Sequence, residues 1–175
     1  MNRSFRKIGG TALAGSVLLT GFGLVSATPA AAADTCSAYQ SKEFDTPGVD
    51  VDVKIRLCVR KSGGVHLAYA EGTWGDGGGP VANFEQFDIH VRVERSDVVK
   101  NQSTCSLSGD LNLYGSGSFD ERGTSRSGSL HCGFMTSTTA SGTGGWSADG
   151  SVTYNINNDG EGAHTWDLTG SPTIG

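Results

Sequence analysis

Helical periodicity is what this chain most lacks. No stretch repeats apolar residues at intervals of three and four, so no helix is expected. Cys-x-x-Cys pairs are missing too, which removes the commonest zinc and thiol-exchange chemistries. Neither a Gly-x-Ser-x-Gly elbow nor a His-Glu-x-x-His helix occurs, so the two most readable hydrolase signatures are absent and no catalytic residue is assigned. Positive charge is in deficit, with 13 Lys and Arg against 18 Asp and Glu. A phosphate backbone repels a chain with that balance, and nucleic acid is not an expected partner.

One uncharged run interrupts the polar composition. Residues 8–27, rich in Gly, Ala, Leu and Val, follow Arg3, Arg6 and Lys7 and precede Ala31 and Ala33. This is the three-part layout of a secretory signal with a small-x-small processing site, and residues 1–33 are expected to be cleaved after Ala33. Its glycines and the adjoining processing site read as a removable leader, not as a membrane anchor. Cleavage removes three basic residues and no acid, leaving ten against 18 and a charge of −8 on residues 34–175. That is a single-domain length.

Cys36, Cys58, Cys105 and Cys132 all follow the leader, and an even count in an exported chain reads as two disulfides. Of the possible pairings, short loop closure favours Cys36 with Cys58 and Cys105 with Cys132. The expected product is a free extracellular monomer with no cofactor, no metal and no membrane attachment.

The pattern that organises the fold covers residues 49–59, where Val49, Val51, Val53, Ile55, Leu57 and Val59 alternate with mainly polar residues. A two-residue period is a strand with one dry face. Gly63 and Gly64 then lead into Val65, Leu67 and Tyr69. Setting apolar opposite apolar requires a three-residue loop, which pairs Val59 with Leu67 and Leu57 with Tyr69. The same register sets Glu71 against Ile55 on the dry face unless a bulge at Gly72 turns it out, and the bulge is expected.

Phe87, Ile89, Val91 and Val93 mark a further strand, whereas residues 96–103 are polar and read as irregular. Cys105, Leu107, Leu111 and Leu113 fall in one parity class and read as strand, as do Leu130, Cys132 and Phe134. Residues 115–128 offer at most a short strand near Phe119, and residues 137–145 read as a polar linker. At the end, a turn at Asn158, Asp159 and Gly160 pairs Tyr154 with His164 and Val152 with Trp166. Seven to nine strands give an all-β fold, an antiparallel β-sandwich or alternatively an up-and-down β-barrel, which the sequence does not separate.

Three residues suggest a ligand site. Trp74 stands at a strand end beside Asp76 and a run of glycines, an arrangement that could serve as an exposed stacking platform with Asp76 taking hydroxyls, although a cap on the end of the core is the expected role of Trp74. Glu71 and Asp76 are the nearest acids for a hydrolytic pair. His66 and His90 are placed on wet faces and His164 inside against Tyr154, and four scattered histidines do not make a metal site. Asn155, Asn157, Asp159 and Gly160 echo the opening of a calcium loop but have Trp166 where its terminal Glu belongs, so they read as a turn. The expected function is a non-catalytic module that binds an unidentified extracellular polymer or protein. The rivals are a small secreted hydrolase using Glu71 and Asp76, and a structural cell-surface component.

Overall fold

The computed structural model describes residues 34–125 and 134–175. In chain order the elements are β1 (Thr35–Cys36), β2 (Gln40–Phe44), β3 (Val51–Ser62), β4 (Val65–Gly75), β5 (Phe84–Arg95), β6 (Val98–Ser106), α1 (Ser108–Leu113), β7 (Gly117–Asp120), β8 (Gly123–Thr124), β9 (Met135–Thr138), β10 (Trp146–Ile156) and β11 (His164–Asp167). All pairings are antiparallel and form two sheets. In the larger, β1 and β2 pair along different parts of β3, β3 pairs with β4, and β7 and β9 pair along different parts of β4. The smaller has the order β11-β10-β5-β6.

The strand alternation read from the sequence builds the core. Val51, Val53, Ile55, Leu57 and Val59 are buried, as are Phe87, Ile89, Val91 and Val93 on β5 and Trp146, Ala148, Val152 and Tyr154 on β10. The two layers interlock through aromatic rings. Phe44 on β2 meets Phe84, Phe87 and Tyr154 edge-on at 5.4, 5.4 and 4.9 Å, and His66 on β4 stacks on Trp146. Val49 does not belong to this face: it is 66% exposed, ahead of β3, and its carbonyl accepts a hydrogen bond from Thr46 Oγ1.

The β3–β4 hairpin corrects the expected register. Ser62 pairs with Val65, so the loop is the two residues Gly63 and Gly64, both at positive φ (56° and 83°). Paired φ > 0 residues match the twist of the flanking strands, which is why a Gly-Gly turn closes here in two residues. Every β4 side chain therefore moves to the face opposite the one expected. His66, Ala68, Ala70, Gly72 and Trp74 point inward, while Leu67, Tyr69 and Glu71 lie on the outer face. Gly72 is an ordinary ladder residue opposite Ile55, with no bulge.

Two further expectations change. Residues 96–103 are not irregular, because a tight turn at Ser96 and Asp97, both at positive φ, sends the chain back as β6 along β5. Leu107 and Leu111 are buried not by a strand but by α1, whose four-residue spacing puts them on one side, while Leu113 is 73% exposed. The β10–β11 register is as expected, Tyr154 with His164 and Val152 with Trp166, although His164 is half-exposed. Cys36 and Cys58 are register partners and form a disulfide. Cys105 is buried and not a free thiol, while Cys132, His131 and Leu130 lie outside the described residues.

Among the described residues no ladder joins the two sheets at either flank, so the fold is a sandwich and not a barrel. Side chains bridge the seams. The Gln40 amide donates to Thr169 O at 3.2 Å and accepts from Thr169 N at 2.8 Å, and across the other seam Asn101 and Ser103 of β6 donate to the Ser137 and Met135 carbonyls at 2.6 and 2.8 Å. Among the described residues no helix is long and apolar enough to cross a membrane.

Candidate functional site

The three residues singled out from the sequence do not form one site. Trp74 is 3% exposed, and its indole N–H donates to the Tyr114 carbonyl at 3.1 Å. It helps to line a depression of about 370 Å³ with Asp52, Lys54 and Thr73, but its ring belongs to the core and offers no stacking platform. Glu71 lies on the other face of β4, where its carboxylate accepts from Arg56 Nε at 2.6 Å and from the Tyr39 hydroxyl at 3.4 Å. Asp76 follows the end of β4 at a positive φ of 56°. Five residues of extended chain set Glu71 and Asp76 roughly 16 Å apart along the backbone. Two carboxylates that act on one glycosidic bond stand about 5–9.5 Å apart.

On the outer face of the larger sheet, polar groups are spent on one another. The Arg56 guanidinium lies 4.6 Å from the Tyr39 ring centre and is ion-paired with Glu71. Arg60 lies 5.1 Å from the Tyr69 ring centre and pairs with Asp34 and Glu121. Burial pushes the Tyr69 phenol up to about 12. With both guanidiniums matched by acids and backed by a ring, these pairs rivet the face of the sheet.

The outer face of the smaller sheet is different. The wet positions of β6, β5, β10 and β11 bring together Thr104, His90, Ser151, Thr153 and Thr165 beside Gln102 and Arg92, around a depression of about 290 Å³. Strand order makes the cluster: His90 is the register partner of Thr104 on one side and of Ser151 on the other. Its imidazole spans the face, with Nδ1 2.8 Å from Thr104 Oγ1 and Nε2 2.9 Å from Thr153 Oγ1. Since a neutral ring has one donor and one acceptor nitrogen, the two hydroxyls are held in opposite hydrogen-bonding senses. Arg92 closes one end, donating to Asp149 at 2.7 Å and Glu94 at 3.1 Å. The lining is polar throughout, over a floor made rigid by Ile89, Val91 and Val152 beneath. Its chemistry is hydrogen bonding: Asp149 and Glu94 share Arg92, while Asp88 and Asp167 stand on the same face opposite Thr153 and Ser151, Asp88 accepting from the Gln86 amide at 2.7 Å.

Sequence alternation placed His90 on a wet face, which the structure bears out. The companions of His90 were hidden because β6 had no readable pattern and the sheet order is not sequential. His66, also placed on a wet face, is instead buried at 2% exposure with neither ring nitrogen hydrogen-bonded. No protein-family model, no curated protein and no solved structure matches this chain.

Proposed function

We propose that this protein is an exported, non-catalytic binding module that takes a hydroxylated polymer, a glycan in chemical class, on the outer face of its smaller sheet. The observation that carries this reading is the depression of about 290 Å³ in which Thr104, Thr153, Ser151 and Gln102 offer closely spaced hydroxyl and amide groups, the first two oriented by His90, with no wholly apolar side chain in the lining. Such a surface suits a ligand whose periphery is hydroxyl. It lacks the aromatic anchor around which protein interfaces concentrate their energy.

Retention on insoluble polysaccharides, followed by calorimetric titration with the soluble oligosaccharide of whichever is retained, tests the reading. His90→Ala removes the two hydrogen bonds that orient the Thr104 and Thr153 hydroxyls and is expected to weaken binding by roughly tenfold. Retention on none of a broad panel, or equal affinity in His90→Ala, overturns it. Export rests on the leader at residues 1–33 and fits a chain that forms the Cys36–Cys58 disulfide. N-terminal sequencing of protein recovered outside the cell is expected to begin at Asp34, and an intact Met1 or a cytosolic location contradicts it.

A further inference from the structure

The loop between β10 and β11 gathers three side chains of metal-binding type. Asn158, Gly160 and Gly162 take positive φ (62°, 73° and 82°), and Asp159, Glu161 and His164 converge around these left-handed steps. One donor atom from each, two carboxylate oxygens and a ring nitrogen, lie within 4.8 Å of one another. His164 Nε2 stands 3.3 Å from Glu161 Oε2. Two donors bound at about 2.1 Å to one tetrahedral ion are separated by roughly 3.4 Å, so this pair already has the spacing of a shared metal.

The imidazole is set in place by the sheet. His164 is the register partner of Tyr154 and stacks on its ring with centroids 5.5 Å apart, while Tyr154 packs edge-on against Phe44. Asp159 is fixed differently, with Oδ1 accepting the Glu161 N–H at 2.9 Å. Among the described residues no Lys or Arg pairs with either acid, and the ion-pair partner of Glu161 is His164 itself.

We infer that Asp159, Glu161 and His164 bind one divalent ion of the zinc class. Two carboxylates match the charge of a dication, and the imidazole decides the class, because calcium and magnesium take shells of oxygen donors while zinc and its first-row neighbours accept nitrogen. Three protein donors leave a fourth position for water or a ligand group. Asp159 also lines a depression of about 400 Å³ with Glu85, Asn155 and Asn158, which leaves room for that fourth partner. The ion is an addition to the polar face at His90 and does not depend on it. It also departs from the sequence expectation of a simple turn, because that expectation placed His164 in the interior.

The test uses protein cleared with EDTA and titrated calorimetrically with zinc chloride at pH 7.5. One ion per chain is expected. His164→Ala and the double variant Asp159→Asn/Glu161→Gln are each expected to weaken binding by roughly tenfold or more, while His66→Phe leaves it unchanged and calcium chloride competes poorly. Circular dichroism of each variant confirms that the fold is retained. Absence of zinc binding by the folded wild type, unchanged affinity in His164→Ala, or calcium bound more tightly than zinc overturns the assignment.

Discussion

Gly72→Val is expected to cost at least ~3 kcal/mol of stability, the upper end of what overpacking usually costs. A Cβ built at Gly72 falls 2.0 Å from the Lys54 carbonyl oxygen and 2.6 Å from Phe119 Cζ. The nearer obstacle is main chain of the partner strand, which cannot rotate away as a side chain does. Relief requires β3 and β4 to part where Ile55 pairs with Gly72, or β7 to lose its Phe119 contact. Gly75→Ala on the same strand is the control, since a Cβ there meets nothing within 4 Å. Guanidinium unfolding monitored by tryptophan fluorescence should show a large fall in midpoint for the first variant and a shift within about 0.5 kcal/mol for the second. Similar midpoints for both would show that β4 does not pass as close to β3 and Phe119 as described.

Stability is expected to fall as the solution is acidified below about pH 6.5, and His66→Phe to remove part of that fall. The imidazole is enclosed in the core, parallel to the Trp146 ring at 3.9 Å and 6°, with no hydrogen bond to either nitrogen. Burial holds its pKa below the ordinary histidine value, and Lys61 across the ladder and Arg95 on β5 press it the same way. The Ala140 main chain is the opposing influence. No carboxylate is among the groups acting on it.

The sign follows from where the proton goes. Above the unfolded value, near 6.5, the ring is neutral in both states and contributes no pH dependence. Below it the unfolded chain gains a proton that the folded chain refuses, so stability drops by up to ~1.4 kcal/mol per pH unit until the depressed folded value is reached, and is level beneath that. The informative quantity is the difference between wild type and His66→Phe. That difference should grow in favour of phenylalanine between pH 6.5 and 4.5, and at pH 7.5 the variant should be at least as stable, because an apolar ring needs no partner there. Parallel stability curves would contradict the picture.

How much of this was legible in the sequence depended on whether a strand has two different faces. β3 and β5 do, and their buried residues follow from alternation alone. β4 also alternates, but its larger apolar residues, Leu67 and Tyr69, lie outside, with Tyr69 beneath Arg60, and its inner parity class is Ala68, Ala70 and Gly72. Small inner residues are what lets the rings of Trp146 and Phe119 close over β4. A rule that sets large apolar opposite large apolar was bound to invert it, and with it the facing of Glu71, Trp74 and His66. The telling sign was that Trp74 shares its parity with that small-residue class, as a core residue would.

β6 was missed for a different reason. An edge strand buries little of either face, and Val98 and Val99 are exposed in succession, which leaves no period to read. Without β6 the neighbours of His90 on the polar face have no address. The zinc-class cluster escaped because its donors depend on loop dihedrals at Asn158, Gly160 and Gly162, which hydrophobic pattern does not encode.

The seams between the sheets have a consequence for crowded solutions. A foreign strand that tried to lengthen either layer at Gln40 or along β6 would have to displace amide and hydroxyl groups already holding the opposite layer. Those flanks are thus poor templates for amyloid-type stacking. Edges engaged in this way disfavour strand-to-strand association between copies as concentration rises.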